Sequence, residues 1–253
     1  MIESIKLLNV RIDNYTSGEL LENLHKGVLV TPNIDDIVKH QHNKEFHLNA
    51  SRAEYSICDS RVVQLMSHVM RRPLKEAIPG SSFFPKYCDY HAKNEDVKIF
   101  LLGAKDGVAD VAKEKINKRV GRKMIVGTYS PPYGFENKED ECGKIVELLR
   151  TSSANVVLVG LGNPKQTNFI FKYKDDAPNI NLWMALGATI DFEAGNIKRA
   201  PEIFQKLYME WFYRFLQEPK RMYKRYFVDD VKFFWYFGKQ LLGLYKDPFE
   251  ESK

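Results

Sequence analysis

Three short stretches of this 253-residue chain carry side chains that could do chemistry. Asp59 closes the apolar run Tyr55-Ser56-Ile57-Cys58. A carboxylate at a strand tip can have its pKa raised by burial and then serve as a general base. An aspartate just before Arg61 also reads as the cap of a following helix, and both readings stand. Gly160-Leu161-Gly162-Asn163-Pro164-Lys165-Gln166 follows an apolar run and opens a helix with proline at its first position. Its glycines let a backbone approach a ligand, and a helix N-terminus favours an anion such as a diphosphate. Lys165 adds a cation and Gln166 a neutral donor and acceptor. The run lacks the GKS/T ending of a Walker loop and is not a full GxGxxG, so a plain turn with capping glycines is an equal reading. Asp191, in Gly187-Ala188-Thr189-Ile190-Asp191, could orient a sugar hydroxyl or a base edge.

Other chemistries find little support. Asp191-Phe192-Glu193 could be a divalent-metal pair, but no second DxD occurs, and no metal is expected. The six histidines form no HExxH or HxH pattern. His40, His42 and His47 read as a solvated helix face, and no Ser-His-Asp set follows from spacing. Cys58, Cys88 and Cys142 are odd in number and lack Cys-x-x-Cys spacing, which argues against a disulfide framework or zinc site and for a reducing cytosol.

The elements that must position these groups alternate. Apolar runs at Ile5–Ile12, Val28–Thr31, Tyr55–Cys58, Val97–Leu102, Lys123–Val126, Val156–Val159 and Leu182–Leu186 predict strands. Amphipathic stretches at Ser17–His25, Asp35–Ala50, Arg61–Met70, Gly107–Arg119, Lys138–Arg150 and Pro164–Tyr173 predict helices. Such alternation argues for an α/β fold with a largely parallel sheet and helices on both faces. Thr31 and Asn33, Asp59, Gly103, Gly127, Gly160 to Asn163 and Gly187 each follow a predicted strand. Open parallel sheets bind ligands outside the carboxyl ends of their strands, so these positions could converge on one crevice.

A core of residues 1–203 and an appendage of residues 204–253 are expected from the change of pattern beyond Pro201. From Phe204 to Lys246 there are nine Lys or Arg, four Asp or Glu and about fifteen aromatic residues. Phe204, Leu207, Tyr208, Trp211 and Phe215 recur at helical spacing. A second helix is predicted over Lys220–Phe227, with Arg221 and Arg225 on one face and Lys220 and Lys224 on an adjacent one. Val231–Tyr245 is apolar nearly all round, as a core-capping or an interfacial helix would be. The tail reads as a packed helical subdomain, an anionic-membrane or lipid-diphosphate surface, or a stacking surface for single-stranded nucleic acid, the last least favoured. The net charge of +5 favours anionic partners without choosing among them. No signal-peptide h-region and no window of about 18–20 apolar residues occurs, so a soluble or peripheral protein is expected.

Taken together, the motifs resemble the WecG/TagA/CpsF family of bacterial glycosyltransferases, glycosyltransferase family 26, from Val30 to about Val231. The resemblance is carried by Thr31-Pro32-Asn33, Cys58-Asp59-Ser60, Ile78-Pro79-Gly80-Ser81-Ser82, Ile99 to Gly103 and Ser130-Pro131-Pro132-Tyr133-Gly134-Phe135. It continues through Val159 to Gln166, Gly187 to Asp191, Arg199-Ala200-Pro201, Glu210-Trp211-Phe212-Tyr213-Arg214 and Glu218-Pro219-Lys220-Arg221.

What the resemblance implies is a Rossmann-like core and inverting, metal-independent transfer of a sugar from a UDP-sugar to a polyprenyl-diphosphate-linked saccharide. The implied setting is the inner face of the bacterial cytoplasmic membrane, in teichoic-acid linkage, common-antigen or exopolysaccharide synthesis. No cofactor beyond the UDP-sugar co-substrate and no nucleic acid is expected, and homo-oligomerisation stays open. Asp59 matches the family's proposed base, and Thr31 and Asn33 its strand-tip pair. Gly103, Gly127, Tyr133, Gly160, Gly162, Pro164, Lys165, Gln166, Gly187, Asp191 and Arg199 are the expected substrate-binding positions. Arg214, Arg221 and Arg225, with Lys220 and Lys224, are expected to meet lipid diphosphate or membrane. The chain departs from many members at Thr167, Ala77 and Ser82, where they carry Glu, Arg and Asp. A catalytically inactive relative that binds UDP-sugar and acts through its tail is the alternative. A nucleotide-dependent oxidoreductase is disfavoured, because no GxGxxG follows the first strand.

Overall fold

A computed structural model describes residues 2–197 and 230–250, together with Tyr213, Leu216, Pro219 and Tyr223. Among the described residues a six-stranded sheet lies at the centre. Its strands, in chain order, are β3 (Gly27–Val30), β4 (Tyr55–Ser56), β5 (Ile99–Gly103), β6 (Ile125–Tyr129), β7 (Val156–Gly160) and β8 (Leu182–Ala185). They lie in the spatial order β4-β3-β8-β7-β5-β6, every pair parallel.

Both faces of the sheet are covered, which is why its strands read as continuous apolar runs rather than alternating ones. On one face Leu29, Leu101, Leu158 and Met184 pack with α1 (Ser17–Asn23), α5 (Gly80–Tyr90), α6 (Val108–Val120) and α9 (Thr189–Ala194). On the other, Val30, Leu102, Val159 and Ala185 pack with α7 (Glu139–Thr151) and α8 (Lys165–Tyr173). Each large side chain fully buried in these layers stabilises the fold by about 1.5–3 kcal/mol relative to exposure.

A third cluster joins a hairpin, β1 (Ser4–Leu7) and β2 (Val10–Asp13), to α2 (Ile34–Lys39), α4 (Arg61–Val69) and the C-terminal helix Val231–Leu241. The run Ile5–Ile12, expected as one strand, is therefore two antiparallel strands about a turn at Leu8-Asn9, with Leu8 at φ 55°. No turn-forming glycine announces this turn. Its partners come from far along the chain: Leu8 N–H donates to Gln240 Oε1 (2.9 Å), and Asn9 Nδ2 donates to the His40 carbonyl and to Asp247 (3.2 Å each). Phe233 and Phe237 are buried and stack at 5.8 Å. Phe234 and Trp235 are 50% and 66% exposed, so this helix covers core with one face and presents aromatics on the other.

Two other expectations change. The single helix over Asp35–Ala50 is α2 and α3 (Lys44–Ser51), divided where Asn43 caps α3 by accepting from Phe46 N–H (2.9 Å). His40 and His47 are buried rather than solvated, with their Nδ1 atoms 3.1 Å apart, and Phe249 packs on the His47 ring. Helix α5 was not anticipated, because Gly80-Ser81-Ser82 and the internal Pro85 read as breakers. Burial of Phe83, Phe84, Tyr87 and Cys88 on one face outweighs that local preference. The expected boundary near residues 203 and 204 lies outside the described residues.

Candidate functional site

The carboxyl ends of all six parallel strands lie along one edge of the sheet, and three glycines meet there. A Cβ on Gly103, at the end of β5, would lie 2.4 Å from the Gly160 carbonyl oxygen, and one on Gly160 would lie 2.7 Å from that of Gly187. Gly103 and Gly160 are needed as glycines so that the tips of β5, β7 and β8 can pack backbone to backbone. Gly103 is also held at φ +126°, which a side chain rarely tolerates. Gly127 differs from its expected place after a strand. It lies inside β6, where the Phe100 ring fills the space a Cβ would take at 2.5 Å, so it serves packing and does not line the site.

Beside these tips is a cleft of 610 Å³ walled by Lys105, Tyr133, Gly160, Lys165, Asp191 and Asn196, among others. That volume is in the range of small-molecule sites. Helix α6, leaving β5, and α8, leaving β7, pack on opposite faces of the sheet. The cleft thus opens where adjacent strands send their helices to opposite sides, the position at which open α/β sheets bind ligands. Gly103, Gly162, Pro164, Gln166 and Gly187 lie in the same strand-tip loops. Gln166 is buried, and its Oε1 accepts from Gly162 N–H (3.1 Å), tightening the turn from within. Thr167 Oγ1 donates to Asn163 Oδ1 (2.7 Å), and Lys39 Nζ donates to the Asn163 carbonyl (3.1 Å), tying the turn to α2.

Lys165 opens α8 and lies over the ring of Tyr133 at 4.6 Å. It also forms an ion pair with Glu136. Burial works against the Glu136 charge, but the hydrogen bond from Lys165 holds its carboxyl below the ordinary glutamate value. Tyr133 is 96% exposed at the mouth of the cleft. Asp191 is half-buried in the first turn of α9. Lys105, Glu136 and Asn196 escaped the sequence reading. Lys105 had a signal, standing two residues past a strand-tip glycine, whereas nothing local marks Glu136 or Asn196.

The second group lies across β8. Thr31, after β3, is buried, and its Oγ1 donates to the Ala185 carbonyl (3.5 Å) at the end of β8. Asn33 caps α2, its Oδ1 accepting from Asp36 N–H (3.2 Å). Asp59, after β4, does not cap the helix that follows. Ser60 does so, through Val63 N–H. Asp59 Oδ1 instead accepts from Gly80 N–H (2.9 Å), the first residue of α5. A Cβ on Gly80 would lie 3.1 Å from the Leu186 side chain, so α5 begins against the β8 tip, two residues before Ala188 of the cleft wall. The loop after β8 is the wall the two groups share. The thiol of Cys58, beside Asp59, is pushed up to about 12 by burial and stays neutral. Ala77 is buried in the hairpin cluster, and Ser82 sits half-buried in the first turn of α5. Arg199, Arg214, Lys220, Arg221, Lys224 and Arg225 lie outside the described residues.

The arrangement offers an anion-favouring cleft with two lysines and a helix N-terminus, and a fixed carboxylate across a shared wall. Three Staphylococcus aureus proteins, from strains MW2, NCTC 8325 and COL, are each 29% identical over 228 residues, covering 86% of this chain and 86% of their own length. Each is an N-acetylglucosaminyldiphosphoundecaprenol N-acetyl-beta-D-mannosaminyltransferase. The model of the WecG/TagA/CpsF glycosyl transferase family matches residues 5–247, and the chain belongs to that family.

Proposed function

We propose that this chain moves a sugar from a UDP-sugar to N-acetylglucosamine carried on polyprenyl diphosphate, with inversion at the transferred carbon. The relatives' names point to N-acetylmannosamine as that sugar. The observation that carries the reading is the cleft at the β5/β7 switch point, with Asp59 fixed across the β8 loop. Asp59 takes the proton of the acceptor hydroxyl as its oxygen bonds to the anomeric carbon. The bond from that carbon to the diphosphate oxygen breaks, and UDP leaves with the electron pair. Lys105, Lys165 and the α8 N-terminus meet the leaving charge without a metal ion. Thr31 and Asn33 hold the loop beside Asp59. The acceptor lipid stays in the membrane while the protein works at its inner surface.

The test is UDP release from a panel of UDP-sugars, with a prenyl-diphosphate-linked N-acetylglucosamine acceptor, in the presence and absence of EDTA. Release that depends on acceptor and survives EDTA is expected. UDP binding without acceptor-dependent release would favour the inactive, binding-only relative.

A further inference from the structure

We propose that Glu136 is a built-in counter-ion that weakens the grip of Lys165 on the nucleoside diphosphate and so sets how readily the product leaves. This inference rests on the nucleotide reading of the cleft given above. Lys165 is the cation at the start of α8, facing the cleft, and it stands in an ion pair with Glu136 while lying over Tyr133 at 4.6 Å. Glu136 follows Phe135 on the Pro131–Phe135 loop, which forms the opposite wall.

Two features make Glu136 more than a surface partner. Its side chain is 27% exposed, and among the described residues its buried Oε2 has no hydrogen-bond partner. A carboxylate oxygen buried without a donor is costly, which is unexpected if the pair served stability alone. Its charge also lies beside a site meant for an anion, where it repels the diphosphate and competes with it for the same ammonium. A diphosphate entering the cleft must draw Lys165 from Glu136 or share it, and each choice lowers the net gain of binding. Uridine without phosphate carries no charge to contest the lysine and is indifferent to Glu136.

The experiment measures UDP and uridine affinity by titration calorimetry on wild type, E136Q, K165M and the double variant, with thermal melts as a folding control. E136Q keeps the shape and removes the charge. It is expected to bind UDP about fivefold more tightly, the upper range for a partly exposed ion pair, with uridine unchanged. The gain is expected to be largely lost in the K165M background, and the inhibition constant for UDP in the transfer assay should fall by the same factor. Unchanged or weaker UDP binding by folded E136Q would overturn the proposal, as would a gain that persists at full size without Lys165. Should E136Q fold poorly, E136A provides the same comparison. Wild type and all variants failing to bind UDP would bring down the nucleotide reading and this inference with it, whereas wild-type binding with no E136Q effect removes the inference alone.

Discussion

Asp59 has a simpler use available in the sequence, capping the helix that starts at Arg61, and the chain gives that task to Ser60 instead. The carboxylate accepts instead from the Gly80 N–H, at the start of a different helix and beside the wall shared with the cleft. That hydrogen bond, at 2.9 Å, helps to fix its direction, which is what a base must have before its proton affinity matters. Asp59→Asn keeps the shape and removes the proposed base. Turnover should fall at least about a hundredfold with the melting temperature little changed, and near-normal turnover in a folded variant would remove Asp59 from the mechanism. The strand-tip position of Asp59 was legible because an acid closing an apolar run is informative wherever it falls. Lys165 was legible because a cation after a glycine turn has few structural duties. Glu136 was not, since its meaning arises only when the loop after β6 folds against α8.

The strand-tip glycines show how an element constrains the site it carries. Gly103 is fixed by backbone, with the Gly160 carbonyl where its Cβ would go, so neither side can yield by changing rotamer. Gly103→Ala should cost about 2–3 kcal/mol, read as a fall in melting temperature of roughly 5–10 °C, and should open the cleft enough to weaken UDP binding. The pattern of strands and most helices was readable, because both faces of a parallel sheet must be apolar. The Leu8-Asn9 turn and α5 were not, because distant partners stabilise what local preference opposes. His40 is a further case. Burial, helped by His47 and opposed by Asp247, pushes its pKa down to about 3. The native state keeps the ring neutral while the unfolded chain protonates it below about 6.5. Its contribution is complete above pH 6.5 and is lost as pH falls toward 3, by about 1.4 kcal/mol per unit. Denaturant titrations at pH 7 and pH 5 should show that loss, and His40→Gln should flatten it; an equal slope in both proteins would assign the acid sensitivity elsewhere.

Across the whole molecule the two halves of the site are joined by β8 and its loop, and the hairpin cluster on the Asp59 side is completed from the far end of the chain. Phe233 and Phe237 fill that cluster, and Tyr245 donates to Gln41 Oε1 at 2.6 Å on the far side of α2. Cutting the chain before Phe204 would therefore strip packing from the elements that hold Thr31, Asn33 and Asp59, and would confuse loss of folding with loss of membrane contact. The outward face of the same helix separates the two effects. Val231, Phe234, Trp235 and Leu241 are exposed there, and Lys239 lies over the Trp235 ring at 5.0 Å. Aromatic rings beside lysine suit a membrane interface, and among the described residues no helix is long and apolar enough to cross one. Both substitutions F234S and W235S together should reduce binding to vesicles rich in anionic lipid several-fold and raise the KM for a long-chain prenyl acceptor. Turnover of a short-chain soluble acceptor and the melting temperature should stay near wild type. If vesicle binding is unaffected, the surface that meets the lipid is not this helix face, and the aromatic-basic stretch before residue 230 becomes the one to test.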